Sequence, residues 1–232
     1  MNRADFPDQL HLGCGGFAPD NWLNTDGSWH VWLAKWPLLK KMALLSGILP
    51  PIHLEHPWSP SIVHLDLRHP LPFPDERFTA VYSSHLLEHL HRTEALALLR
   101  EVRRCCRPGG TVRMAVPDLA HYLAEYRRGL ILPEAPGHSP SDTLLYGLHL
   151  RPAASPGKHS LLRTLYHAVL DYNSHKWLYD RDGLLALFRE AGFAQPEERG
   201  VLESRIPAID QIERVERIGG GDTLIVEAVR QG

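Results

Sequence analysis

Residues 79–116 constrain the chain most, because they read as strand, helix and strand in immediate succession. Thr79 to Ser84 is a short strand, and Arg92 to Cys106 places Leu96, Leu99, Val102 and Cys106 on one helical face. Arg107-Pro108-Gly109-Gly110 then stops the helix, as Pro and Gly beyond a C-terminus do, and Thr111 to Val116 forms a buried-looking strand. Two strands joined by a crossover helix run parallel, so the unit predicts a sheet with helices on its faces.

The alternation extends both ways. Upstream, Leu10-His11-Leu12 reads as a strand running into the turn Gly13-Cys14-Gly15-Gly16, and Trp22 to Asp26 as another. Ser61 to Leu67 alternates like a third, followed by a stiff loop with Pro70, Pro72 and Pro74. Downstream, Asp118 caps a helix to about Arg128, and the Pro-, Gly-, Ser- and His-rich stretch 130–156 predicts a long loop or partly helical lid. Helices follow at about Leu161–Leu170 and Asp182–Ala191, the second ended by Gly192, and the turn Gly219-Gly220-Gly221 precedes a strand from Thr223 to Val229. The expected fold is α/β, a doubly wound, mostly parallel sheet. In such a sheet ligands sit beyond the carboxyl ends of the strands, so the loops after Leu12, Thr25, Asp66 and Ser84 should open onto one cleft.

The 232 residues suffice for a single core, with 44% hydrophobic and 22% charged residues. A net charge of −2 provides no basic field, so no nucleic-acid partner is expected; Arg100, Arg103, Arg104 and Arg107 read as a solvated helix face. The three cysteines, Cys14, Cys105 and Cys106, are odd in number and two are adjacent, which does not suit a disulfide framework. Met1 to Gln9 has no apolar run, and no stretch reaches the roughly 18 apolar residues of a membrane span. A cytoplasmic protein is expected.

Gly13-Cys14-Gly15-Gly16-Phe17-Ala18 fits the G-x-G-x-x-G/A dinucleotide pattern, but Pro19 closes it and leaves no room for the helix that would receive a pyrophosphate. Asp26 also arrives earlier than the usual acid, about 20 residues on. A cofactor with a ribose and no phosphate suits this arrangement better. Glycines allow close approach of the backbone, Asp26 can accept from ribose hydroxyls, and Asp66-Leu67 offers an apolar slot with a polar edge. Each acid could equally cap its own loop.

These residues resemble a known family. Leu10 to Gly15 with Trp22-Leu23-Asn24-Thr25-Asp26 resembles the first two strands of class I methyltransferases, in the branch called methyltransferase type 11. Asp66 to Asp75, Phe78 to Leu90 and Arg107 to Thr111 are similar to the family's third strand, fourth strand and turn into the fifth, and 175–193 and the closing strand also look familial. The resemblance implies a Rossmann-like sheet of about seven strands, the last antiparallel, in one domain spanning 1–232. A Trp-rich helical insertion falls at about 28–60 and a lid or loop insertion at about 130–176. It implies S-adenosylmethionine as cofactor, with Gly13 and Gly15 lining the methionine moiety, Asp26 the ribose, Asp66 and Leu67 the adenine, and Ser84 and His85 facing the sulfonium. Two residues depart from the pattern: His11 stands where many relatives have an acid for the methionine amino group, and Phe17 where a third glycine is common.

The expected activity is methyl transfer to a small-molecule or glycan-type acceptor, with His85 or His89 as general base for an oxygen nucleophile. A cofactor-binding protein without catalysis is the alternative. His85-Leu86-Leu87-Glu88-His89 also matches the H-x-x-E-H zinc-peptidase motif, in which a helix would bring His85 and His89 to one face. No third ligand is evident, so a zinc hydrolase is a distant reading and no metal is expected. In Trp29 to Leu45 a helical projection gathers Trp29, Trp32, Leu33, Trp36, Leu39 and Ala43 on one arc, although Pro37 and Lys40 interrupt it. It reads first as a helix covering the cleft with its aromatics buried, and alternatively as a peripheral membrane contact through 29–45. Tyr166, His167, Tyr172, His175 and Trp177 could line a substrate pocket or serve as core and rim residues.

Overall fold

The structure is a computed structural model, which describes residues 7–36, 38, 41–42, 58–133, 139–150 and 174–232. Seven strands form one sheet: β1 (Gln9–Leu12), β2 (Leu23–Asp26), β3 (Val63–His64), β4 (Phe78–Ser84), β5 (Cys106–Pro117), β6 (Glu197–Glu198) and β7 (Thr223–Val229). Their order is β3-β2-β1-β4-β5-β7-β6. The first five pair in parallel, whereas β7 runs antiparallel to both β5 and β6. From β1 the chain moves to β2 and β3 on one side, then returns to β4 on the other. A crevice opens where the direction of winding reverses, at the carboxyl ends of β1 and β4.

Six helices accompany the sheet among the described residues: α1 (His30–Ala34), α2 (Arg92–Cys105), α3 (Leu119–Arg127), α4 (Pro140–Gly147), α5 (Arg181–Glu190) and α6 (Val215–Ile218). The period of two along each strand divides its side chains between the faces. Leu10 and Leu12, Val112, Met114 and Val116, and Leu224 and Val226 face one core with Leu98, Leu99 and Val102 of α2 and Leu184, Leu187 and Phe188 of α5. These helices start where the sequence can satisfy free amides: Asp180 accepts from the Gly183 amide, and the Glu94 side chain accepts from the His91 amide. Asp118 caps α3 as expected, accepting from Ala120 N.

The opposite face is covered differently. Trp22, Ala80 and Tyr82 pack with Ile206, Ile209 and Ile212, and Ala115 and Ile225 with Ile218. Segment 200–218, mostly irregular, thus replaces a long helix on this side. Arg113 pins it down. Its guanidinium makes paired bonds to Glu213, 2.8 and 2.7 Å, lies 3.4 Å from Glu227, and donates to the carbonyls of Gly200 and Glu203, with all three charged side chains fully buried.

Several expectations change. The third strand, expected over Ser61–Leu67, contains only Val63–His64, because turns at Ser59–Ile62 and Asp66–Arg68 bend the chain at both ends. The helix expected from Trp29 begins as α1, which buries only Val31; Trp36, before Pro37, lies beyond its end, and Leu38, Lys41 and Met42 are again helical. Trp32 and Trp36 are 55% and 60% exposed, so these aromatics are not buried against the sheet. Cys106 to Gly110 belongs to β5, and β6 had no signal in so short a stretch. The lid stretch contains α4. The expected helix 161–170 lies outside the described residues, as do Leu39, Lys40, Ala43, Tyr166, His167 and Tyr172.

Candidate cofactor site

The turn after β1 reverses within a few residues because Gly13 and Gly15 adopt left-handed backbone, φ +64° and +58°. Register places Leu12 beside Thr25, which brings Asp26 level with the turn. Cys14 N donates to Thr25 O, and Gly15 N donates to Asp26 Oδ2 at 2.9 Å. Ser28 N donates to Asp26 Oδ1 at 2.8 Å. Each oxygen of Asp26 keeps capacity for a further donor. A Cβ on Gly15 would meet nothing within 4 Å, so the turn leaves open space where a ligand can approach its backbone.

That space is part of a cavity of about 320 Å³, within the lower range of small-molecule sites. Gly13, Gly15 and Asp26 line it at one side, Asp66 and Leu67 at another, and His85 and His89 at a third. Six of the seven residues expected to bind cofactor therefore meet in one place, together with both candidate bases. The exception is Ser84. It shares the strand face of Tyr82 and lines a small separate space with His11, Cys14 and Phe17, its hydroxyl buried without a partner. His85 escapes this alternation through a positive φ of 52°, with its amide held by Ala115 O. Residues that sequence reasoning did not assign also line the cavity: His30 and Trp58, whose rings stack 5.1 Å apart, and Lys176 and Arg217. Trp58 lay within the Trp-rich insertion and Lys176 within the His175-Lys176-Trp177 run, but no periodicity pointed either at the cleft.

The electrostatics are specific. Asp66 accepts a two-pronged bond from Arg68, 2.9 and 2.6 Å, and this pairing holds its carboxyl down at about 2. Its oxygens stay ionised and retain spare acceptor capacity. His11 lies outside the cavity, between Trp22 and Tyr82. Asn24 uses its amide nitrogen for the Pro19 and Trp22 carbonyls, so its oxygen accepts from His11 Nδ1 at 3.1 Å. Burial pushes His11 down to about 4, so the ring is neutral near pH 7. Burial also raises Cys14 far above the ordinary thiol range, with Asp26 adding to it, which leaves Cys14 inert as a nucleophile.

Beside the cavity lies Glu88, fully buried, with Oε1 3.2 Å from His85 Nδ1. The H-x-x-E-H reading required His85 and His89 on one helical face. Instead His85 sits in a left-handed turn, and only Leu87–His89 forms a short 3₁₀ turn.

A sheet in this order, with one antiparallel strand inserted next to its far edge and a glycine turn facing an acid at the end of β2, is the Rossmann-like fold of class I methyltransferases. The family model described as a methyltransferase domain matches residues 10–114, the segment from β1 into β5. Solved structures similar to this chain include an S-adenosylmethionine-dependent methyltransferase from Mesorhizobium loti, 19% identical over 98% of this chain and 95% of its own, TM-score 0.46. A second, from Thermotoga maritima, is 14% identical over 99% of this chain and 86% of its own, TM-score 0.46. No curated protein matches the chain.

Proposed function

We propose that this protein transfers a methyl group from S-adenosylmethionine to a small-molecule or glycan-type acceptor. The observation that carries this is the bond from the Gly15 amide to Asp26, because it fixes a carboxylate beside an open glycine turn within one cavity. The residues fit the cofactor: Gly13 and Gly15 leave room for the methionine portion, Asp26 has spare acceptor capacity for ribose hydroxyls, and Asp66 with Leu67 combines an acceptor with an apolar wall for adenine. When bound, S-adenosylmethionine supplies a methyl group on a positively charged sulfur, which leaves with the bonding pair when an acceptor displaces it.

The chain's own task is orientation, exclusion of water and removal of the acceptor's proton. His85 is the better base. Its Nδ1 is engaged by the buried Glu88 side chain at 3.2 Å, which orients the ring and leaves Nε2 outside that contact. His85→Ala is expected to lower kcat by roughly 10²- to 10⁴-fold with little change in KM, measured as labelled-methyl transfer to cell-extract metabolites. His89→Ala with unchanged turnover would remove His89 from that role.

Calorimetry with S-adenosylhomocysteine tests the binding half. Asp26→Asn is expected to weaken affinity by about 10-fold or more, the loss of one charged acceptor. No binding by the wild-type chain at millimolar ligand would overturn the reading. Binding without any transfer would support the non-catalytic alternative, which the withdrawal of His11 into an aromatic cluster favours. A single domain and a cytoplasmic location complete the proposal, the latter supported by three buried, free cysteines. No helix among the described residues is long and apolar enough to cross a membrane.

A further inference from the structure

Next to the cofactor cavity, three chain segments are fastened around Glu88. Its carbonyl accepts from the amides of Lys176 and Trp177, 2.7 and 3.1 Å, which draws His175 alongside. His175 N in turn donates to His149 O. The ligating atoms of Glu88, His89 and His175 all lie within 4.8 Å of one another. Two of these side chains are incomplete. His175 Nε2 faces Glu88 Oε1 at 4.0 Å, while Oε2 of the fully buried Glu88 and Nδ1 of the His175 side chain, 8% exposed, have no hydrogen-bond partner. A buried carboxylate oxygen without a donor is costly unless something cationic meets it.

The surrounding bonds prepare the donors. The Ser174 carbonyl can only accept, so His89 carries its proton on Nδ1, 3.3 Å away, and offers the Nε2 lone pair. His85 holds the other oxygen of Glu88. A ring nitrogen bonded to a carbonyl, and a carboxylate oriented by a neighbour, are what metal ligands use to fix their lone pairs. We propose that Glu88, His89 and His175 bind one first-row divalent transition-metal ion at the wall of the cavity. Two imidazoles and one carboxylate suit Zn²⁺, Co²⁺, Fe²⁺ or Mn²⁺, whereas Ca²⁺ and Mg²⁺ favour all-oxygen sets. Three protein ligands leave positions open. His89 lines both the cluster and the cavity, so an acceptor hydroxyl could enter one of them and be acidified there. That last step rests on the methyl-transfer reading; metal binding does not.

The test uses the full chain, stripped with a chelator and titrated with Co²⁺ by visible absorption and with Zn²⁺ against a chromophoric chelator. One ion per chain is expected. Glu88→Gln and His175→Ala should each weaken binding at least about 100-fold, and His85→Ala about 10-fold, as orienting neighbours do. His121→Ala, at a separate His–Glu pair on α3, should leave it unchanged. Absence of stoichiometric binding by the wild type would overturn the proposal, as would wild-type affinity in both Glu88→Gln and His175→Ala. Calorimetry with S-adenosylhomocysteine on the same preparations keeps the two readings apart. Nucleoside binding without metal sinks the metal site alone, and metal binding without nucleoside sinks the cofactor reading alone. Retained nucleoside binding in the variants shows that they are folded.

Discussion

Gly13 and Gly15 share a left-handed backbone, yet an added methyl group would meet different surroundings. At Gly13 it would come within 2.9 Å of Leu86 Cδ1, while at Gly15 it would project into open space. Both substitutions bear the conformational penalty of about 1–2 kcal/mol for a left-handed residue with a Cβ. Gly13→Ala adds a clash and is expected to be the less stable by urea unfolding. Gly15→Ala should lose more nucleoside affinity in calorimetry for a smaller loss of stability, since its methyl occupies ligand space. Equal losses of both quantities in the two variants would contradict this division. The same local logic separates what the sequence disclosed from what it hid. Asp26 was legible as an acid at a strand end beside a glycine turn, and the structure puts it there, bonded to the amides of Gly15 and Ser28. Ser84 was misplaced because a period of two sends it with Tyr82 to the far face, and only the left-handed turn at His85 brings the chain back. Nothing in the sequence marked that residue, which is not glycine, as left-handed.

Elements with a long repeat were the readable ones. Helices α2 and α5 declared themselves through apolar spacing and terminal Gly or Asp, and the closing strand through β-branched residues. The covering segment 200–218 holds only a three-residue turn, Ile209–Gln211, and the four-residue α6, both too short to show a period, and its isoleucines are placed by contact with Trp22, Tyr82 and Ala115. Its attachment depends on a charge, Arg113 at mid-strand in β5, whose partners lie 100 and 114 residues away. Removing that charge leaves two carboxylates buried without their cation. Arg113→Met is therefore expected to cost about 3–5 kcal/mol in denaturant unfolding, despite being an apolar replacement in a core. A loss under 1 kcal/mol would mean that the segment is held by its isoleucines alone.

For the molecule as a whole, acid acts in two windows. His11 has a folded pKa near 4 against about 6.5 unfolded, so below pH 6.5 the unfolded chain takes up a proton that the folded one refuses. Stability present above 6.5 is lost as pH falls towards 4, by at most about 3 kcal/mol for this one ring. Asp66 acts lower: its carboxyl titrates near 2 rather than 3.8, so its smaller contribution, partly screened by solvent, fades between those values. Urea unfolding at stepped pH should show the upper decline in the wild type and a flatter course in His11→Leu, which starts lower because Asn24 loses its donor. An unchanged slope would remove His11 as its cause. The order of the chain adds a constraint of time. Strands β1 and β4 emerge from the ribosome with one side bare, and residues 200–213, made well after them, are what closes it. Until then Trp22, Tyr82 and an unneutralised Arg113 face water, so a nascent or truncated chain ending short of Glu213 should be a chaperone client rather than a smaller working domain.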